Sequence, residues 1–121
     1  MHFQKEEYSQ AKLINILKGS ILDIVVDLRK NSETFGKYFA IEINEKSKRM
    51  LFIPKNFAHG FLTLEDDTEV FYKCDNFYNP KSEAGIIWND KDLNIDWNLE
   101  KYNIKESELI ISEKDKKNTS F

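Results

Sequence analysis

The stretch "ILDIVVDL", residues 21–28, alternates with a period of two. Leu22, Ile24, Val26 and Leu28 fall on one face, and Asp23, Val25 and Asp27 on the other. Such a segment is a strand, and its second face mixes acids with aliphatic groups. A small antiparallel barrel with a partly polar interior, able to hold one small ligand, uses strands of this kind. A sandwich with one face in water fits the alternation equally well. Working outward, "AKLINIL" (11–17) precedes it across the turn residue Gly19. "KYFAIEI" (37–43), "RMLFI" (49–53), "AHGFLTL" (58–64) and "TEVFYKC" (68–74) follow, each of ordinary strand length. The breaks between them, "NSETFG", "NEKSK", "PKNF" and "EDD", have the chemistry of turns. In "TEVFYKC" the alternation recurs, with Val70, Tyr72 and Cys74 opposing Glu69, Phe71 and Lys73.

Beyond Cys74 the texture changes to loop, with Trp88 and Trp97 as anchors. Ser112 is placed to cap a short terminal helix, and residues 116–121 read as a flexible tail. The whole chain, 1–121, is expected to be one domain, long enough to bury roughly two-thirds of its unfolded surface. Hydrophobic residues make up 40%, which argues against disorder. A net charge of -3 argues against a general nucleic-acid binder, although the 18 basic residues could still form a patch for a phosphorylated small molecule. No window approaches the ~18 apolar residues of a membrane span. No signal-peptide pattern opens the chain, so a cytoplasmic location is expected.

Candidate chemistry narrows by residue type. His2 and His59 are the two histidines, with no H-x-H pair, so no catalytic metal is expected. Cys74 is the one cysteine; its neighbour Lys73 points to the opposite face, so a buried, inert thiol is expected. No nucleophile elbow, phosphate loop or dinucleotide fingerprint is present. General acid–base chemistry remains. His59 in "LFIPKNFAHGF" (51–61), Tyr72 and Lys12 are each unremarkable alone and gain meaning only as a set.

That set has a familiar setting. "MHFQ", "KL", "GSILDIVVDLRKNSETFGKY", "LFIPKNFAHGFLTLED", "VFYK", "FYNPKSEAGIIWND", "IDW" and "SEKD" follow one another in the order of the dTDP-4-dehydrorhamnose 3,5-epimerase family, which the chain resembles from residue 1 to about residue 116. The resemblance implies an all-β, cupin-like jelly-roll barrel with a short C-terminal helical segment. It also implies a homodimer and no metal or organic cofactor. The implied reaction inverts carbons 3 and 5 of dTDP-4-dehydro-6-deoxy-D-glucose, on the route to dTDP-L-rhamnose and surface polysaccharide. His2 matches the position of the base; an imidazole, with an ordinary pKa of about 6.5, suits that task near neutrality. Asp115 matches the aspartate that orients it, Lys12 the cation that stabilises the enolate, and Tyr72 the acid on the opposite face. His59 and Asp23 match pocket positions, while Phe77, Tyr78, Glu83 and Lys114 fall where nucleotide or phosphate contacts are expected. Members of the family carry a further segment ahead of the H-F-Q motif, including an R-G dipeptide, so this chain is expected to be an N-terminally truncated barrel. Two other readings stay open: a non-catalytic sugar-nucleotide-binding module, and a 3- or 5-only epimerase or ketoisomerase.

Overall fold

A computed structural model describes residues 1–121. Eight strands run in chain order: β1 (His2–Gln4), β2 (Lys12–Lys18), β3 (Ser20–Asp27), β4 (Tyr38–Asn44), β5 (Met50–Ile53), β6 (Phe57–Thr63), β7 (Glu69–Cys74) and β8 (Glu83–Gly85). One short helix, α1 (Glu113–Lys116), follows near the C-terminus. The strands form two antiparallel sheets, one of order β4-β3-β6-β1-β8 and one of order β5-β2-β7. The six longer strands lie where alternation places them. β1 and β8 are three-residue pieces that pair with each other, and strands so short leave no periodic trace in the sequence.

The β3 alternation sorts two cores. Leu22, Ile24 and Val26 pack with Met1, Ala58, Ile86 and Leu93 on the outer face of the five-stranded sheet, under a cover that includes Trp97 and Tyr102. Ile21 and Val25 face the other way and meet Ile14, Ile16, Ile43 and Ile53 between the two sheets. β3 is therefore buried on both faces along its whole length, which neither the barrel nor the sandwich pattern demanded. Each fully buried isoleucine contributes roughly 1.5–3 kcal/mol. Between β2 and β3, Gly19 turns the chain at φ +76, with Thr68 Cα only 3.1 Å from where a Cβ would stand. A side chain there would meet both backbone strain and a collision.

The "DLRKNSET" motif has a structural explanation. Asp27, 2% exposed, receives hydrogen bonds from Arg29 N and Nε (each 2.9 Å), Arg29 Nη2 (2.7 Å), Ser32 Oγ (2.7 Å) and Thr34 Oγ1 (2.6 Å). One buried carboxylate thus organises the β3–β4 connection, and Arg29 also lies 4.7 Å from the Phe57 ring centre. The Arg29 hydrogen bonds, ahead of those from Ser32 and Thr34, hold the Asp27 carboxyl far below its ordinary range despite its burial. Asp27→Ala is expected to cost about 3 kcal/mol in urea unfolding. Because the folded state depresses this pKa, the unfolded chain binds the extra proton. The contribution is full above the unfolded value of about 3.9 and is lost as pH falls below it. The gap between the native chain and Asp27→Ala should therefore narrow in acid.

Two expectations are corrected. Cys74 is exposed, because it ends the edge strand β7, where every residue but Val70 is open to solvent. Residues 118–121 do not fray. Thr119 bridges Ile86 and accepts from Ile87 N at 2.8 Å, Phe121 N donates to Asp90 Oδ2 at 2.8 Å, and the Phe121 ring lies 5.2 Å from that of Phe35. The unpaired backbone donors beyond β8 and an apolar ring beside the β3–β4 turn give the tail something to bind. The expected anchors hold: Trp97 Nε1 donates to Trp88 O at 2.9 Å. Ser112 caps α1 by accepting from Asp115 N.

Candidate active site

Strand register decides which side chains converge. His2 stands opposite His59 across β1 and β6, and His59 stands opposite Val25 across β6 and β3. These three therefore share the face of the five-stranded sheet that looks toward the other sheet. On that second sheet Tyr72 stands opposite the buried Ile14, and Lys12 opposite Cys74, so Lys12 and Tyr72 share its inward face. The two faces enclose a cavity of about 550 Å³ lined by His2, Lys12, His59, Tyr72, Tyr78, Glu83 and Asp115 among others. His2 and Tyr72 thus reach one hollow from opposing walls.

The base candidate is held tightly. His2 Nε2 donates to Asp115 Oδ1 at 2.5 Å, and its Nδ1 lies 3.5 Å from Glu83 Oε1. Asp115 is itself fixed by Ser112 Oγ (2.7 Å) and Asn118 Nδ2 (3.3 Å). Burial works to raise the Asp115 pKa, but hydrogen bonds from Ser112 and His2 outweigh it and keep the carboxyl below its ordinary value. An ionised carboxylate can only accept, so the Nε2 proton stays and Nδ1 is the basic nitrogen of the neutral ring.

His59 is buried and its Nε2 lies 2.9 Å from Asp23 Oδ2. Asp23 sits behind His59 rather than on the cavity wall, fully buried, and its Oδ1 has no partner. Burial pushes the Asp23 pKa up, with the His59 contact and the Lys12 charge opposing. Lys12 forms no ion pair within 4.0 Å, so its ammonium is free for a ligand. Tyr72, 55% exposed, has no hydrogen-bond partner in the protein. No three of the His, Cys, Asp and Glu side chains converge so as to hold a metal ion.

At the rim, Glu83 Oε2 accepts from Tyr78 OH (2.7 Å) and Glu83 Oε1 from Lys114 Nζ (2.6 Å). The Lys114 bond first, then that of Tyr78, lowers the Glu83 pKa; the same Glu83 contact raises that of Tyr78. Of the residues singled out from sequence, Asp23, Lys114 and Phe77 do not line the cavity, and Phe77 is 86% exposed. Sequence reasoning missed Gln4, Gln10, Phe61 and Trp88. Gln4 has the largest organising role: its amide donates to Tyr8 O (2.8 Å) and Phe77 O (3.1 Å) and accepts from Asn79 N (2.6 Å). The available signal was its place in the H-F-Q motif, two residues beyond the candidate base and on the same face of β1.

Comparisons with known proteins bear on the family and the fold. A sequence profile described as dTDP-4-dehydrorhamnose 3,5-epimerase matches residues 1–121. The dTDP-4-dehydrorhamnose 3,5-epimerase of Methanothermobacter thermautotrophicus is 47% identical over 116 residues, covering 96% of this chain and 60% of that protein. The crystal structure of the enzyme of that name from Elizabethkingia anophelis superposes with a TM-score of 0.90 at 48% identity, covering 99% of this chain and 63% of that one. The dTDP-6-deoxy-D-glucose-3,5-epimerase of Legionella pneumophila, solved with dTDP-4-keto-L-rhamnose, gives 0.88 at 36% identity, covering 98% and 60%. The chain thus spans about 60% of the length of the curated relative it matches. A cupin-like fold, a two-walled cavity and a match running from the first residue to the last place the chain in the dTDP-4-dehydrorhamnose 3,5-epimerase family.

Proposed function

We propose that this chain carries the acid–base centre of a sugar-nucleotide epimerase acting on dTDP-4-dehydro-6-deoxy-D-glucose. It inverts the carbons on either side of the 4-keto group, without a cofactor, for dTDP-L-rhamnose and surface polysaccharide synthesis. It works in the cytoplasm as a homodimer. The observation that carries the reading is the position of His2 and Tyr72 on facing walls of one cavity that also holds Lys12. A volume of about 550 Å³ lies within the roughly 300–1,000 Å³ range of small-molecule sites. None of the helices is long and apolar enough to cross a membrane. The dimer finds support in Met50, Phe52 and Phe71, exposed on the outward face of the three-stranded sheet.

In the reaction, His2 Nδ1 removes the proton next to the ketone. The C–H bond breaks, the N–H bond forms, and the electron pair moves onto the carbonyl oxygen as an enolate. Asp115 keeps the opposite nitrogen protonated and stabilises the imidazolium that results. Lys12, free of other partners, balances the enolate charge. Tyr72 gives its phenolic proton to the other face of the carbon as the enolate pair returns to re-form the C=O, which completes inversion and leaves a phenolate. Proton exchange with solvent resets Tyr72 and His2. His59, braced by Asp23, is the polar wall beside the sugar.

Solvent deuterium tests this directly. In D2O, the chain should wash deuterium into both carbons flanking the ketone of the dTDP sugar. Exchange at one carbon would shift the reading to a single-centre epimerase. Binding with no exchange would leave only a binding module.

A further inference from the structure

The His2 ring is flanked by carboxylates at both nitrogens, and only one of them is accounted for by the base–orienter pair. We infer that Glu83 is a positioning residue for His2, holding the proton that arrives on Nδ1, with Lys114 tempering that hold. This inference rests on the epimerase reading above.

Strand pairing brings the two side chains to one face. Gly85 stands opposite His2 and Glu83 opposite Gln4, so the Glu83 side chain emerges on the same face as His2, one pleat along. Its reach ends with Oε1 3.5 Å from Nδ1. That separation is long for a hydrogen bond, and the neutral ring has no proton on Nδ1 to offer. Glu83 therefore does little for the resting base. Once Nδ1 has taken a proton from carbon, the same carboxylate stands 3.5 Å from an imidazolium cation. The interaction is thus stronger after proton transfer than before it, which is the requirement for a group that assists the step.

Glu83 is kept ionised for this purpose by Lys114 and Tyr78, which fill its remaining acceptor sites. Lys114 binds the very oxygen that faces His2, so its positive charge opposes protonation of the ring. The other charged or titratable groups around His2 are Asp115 from α1, His59 from β6, Lys12 from β2 across the cavity, Tyr72 from β7, and the α-amino group of Met1. Glu83 and Asp115 are the two that pair with its nitrogens.

Nitrogen-15 NMR of the ring nitrogens reads the effect without turnover, and the chain has only His59 as a second imidazole. In Glu83→Gln, His2 should take up its proton at lower pH than in the native chain, while His59 is unmoved. In Lys114→Met it should do so at higher pH. In deuterium exchange, Glu83→Gln should lower kcat about tenfold or more, a larger factor than any change in KM, as expected of a group acting through the base. An unchanged His2 titration in Glu83→Gln would overturn the inference. So would a shift in the same direction in both variants, or a loss confined to KM. Because the titration needs no substrate, it can fail while deuterium exchange succeeds, or the reverse, so the two readings are separable.

Discussion

His2→Ala should lower the rate of solvent exchange at the carbons beside the ketone by about 10²–10⁴-fold, the usual contribution of a positioned general base. Binding of a dTDP ligand should change by less than threefold. The argument is local. His2 is oriented by Asp115, itself locked by Ser112 and Asn118, and its side chain is 32% exposed on the cavity side. His59, the other imidazole in the cavity, is paired with Asp23 in the same way, but its side chain is only 8% exposed and it stands on the neighbouring strand β6, so it cannot take over at the same geometry. NMR detection of deuterium at each carbon, with calorimetry for binding, checks both halves. Exchange at the native rate in His2→Ala would remove it as the base.

Tyr72→Phe should separate the two halves of inversion. The phenol lies on the wall opposite His2, has no partner in the protein, and is the proton donor for the far face. Without it, His2 still forms the enolate and returns solvent-derived protons to the face it serves. Exchange should persist within about tenfold, while net formation of the inverted sugar falls by roughly 10²–10⁴-fold. The folded chain should be unaffected, since Tyr72 is more than half exposed and its hydroxyl is bonded to no other group. Equal losses of exchange and inversion would mean that Tyr72 contributes to enolate formation, and the two-sided scheme would fail.

The physics of the two sheets explains why these effects are separable. A single sheet presents its inward side chains from one direction. Here the five-stranded sheet supplies His2 and His59 and the three-stranded sheet supplies Lys12 and Tyr72. The isoleucines packed between the sheets, Ile14, Ile21, Ile43 and Ile53, hold the two walls at a set distance. Side chains anchored on paired strands need little reorganisation to serve a reacting carbon.

From sequence alone, period-two alternation placed six strands, the turn chemistry separated them, and Ser112 marked the start of α1, because each of these depends on neighbours within a few residues. The motifs were enough to indicate the family and to single out His2, Lys12, Tyr72 and Asp115. Alternation could also say that Asp23 and Asp27 share a face, but not that one braces a histidine while the other ties a turn. That difference depends on residues brought in by pairing and by the turn after β3. The strands β1 and β8 were too short to show a period, so the register that sets Glu83 beside His2 had no local signature. The ordered tail and the exposed Cys74 were likewise invisible, since one depends on backbone groups of a distant strand and the other on lying at a sheet edge. Local side-chain chemistry is written along the chain, whereas register and sheet stacking, which choose the partners of each buried charge, arise only when distant segments pack.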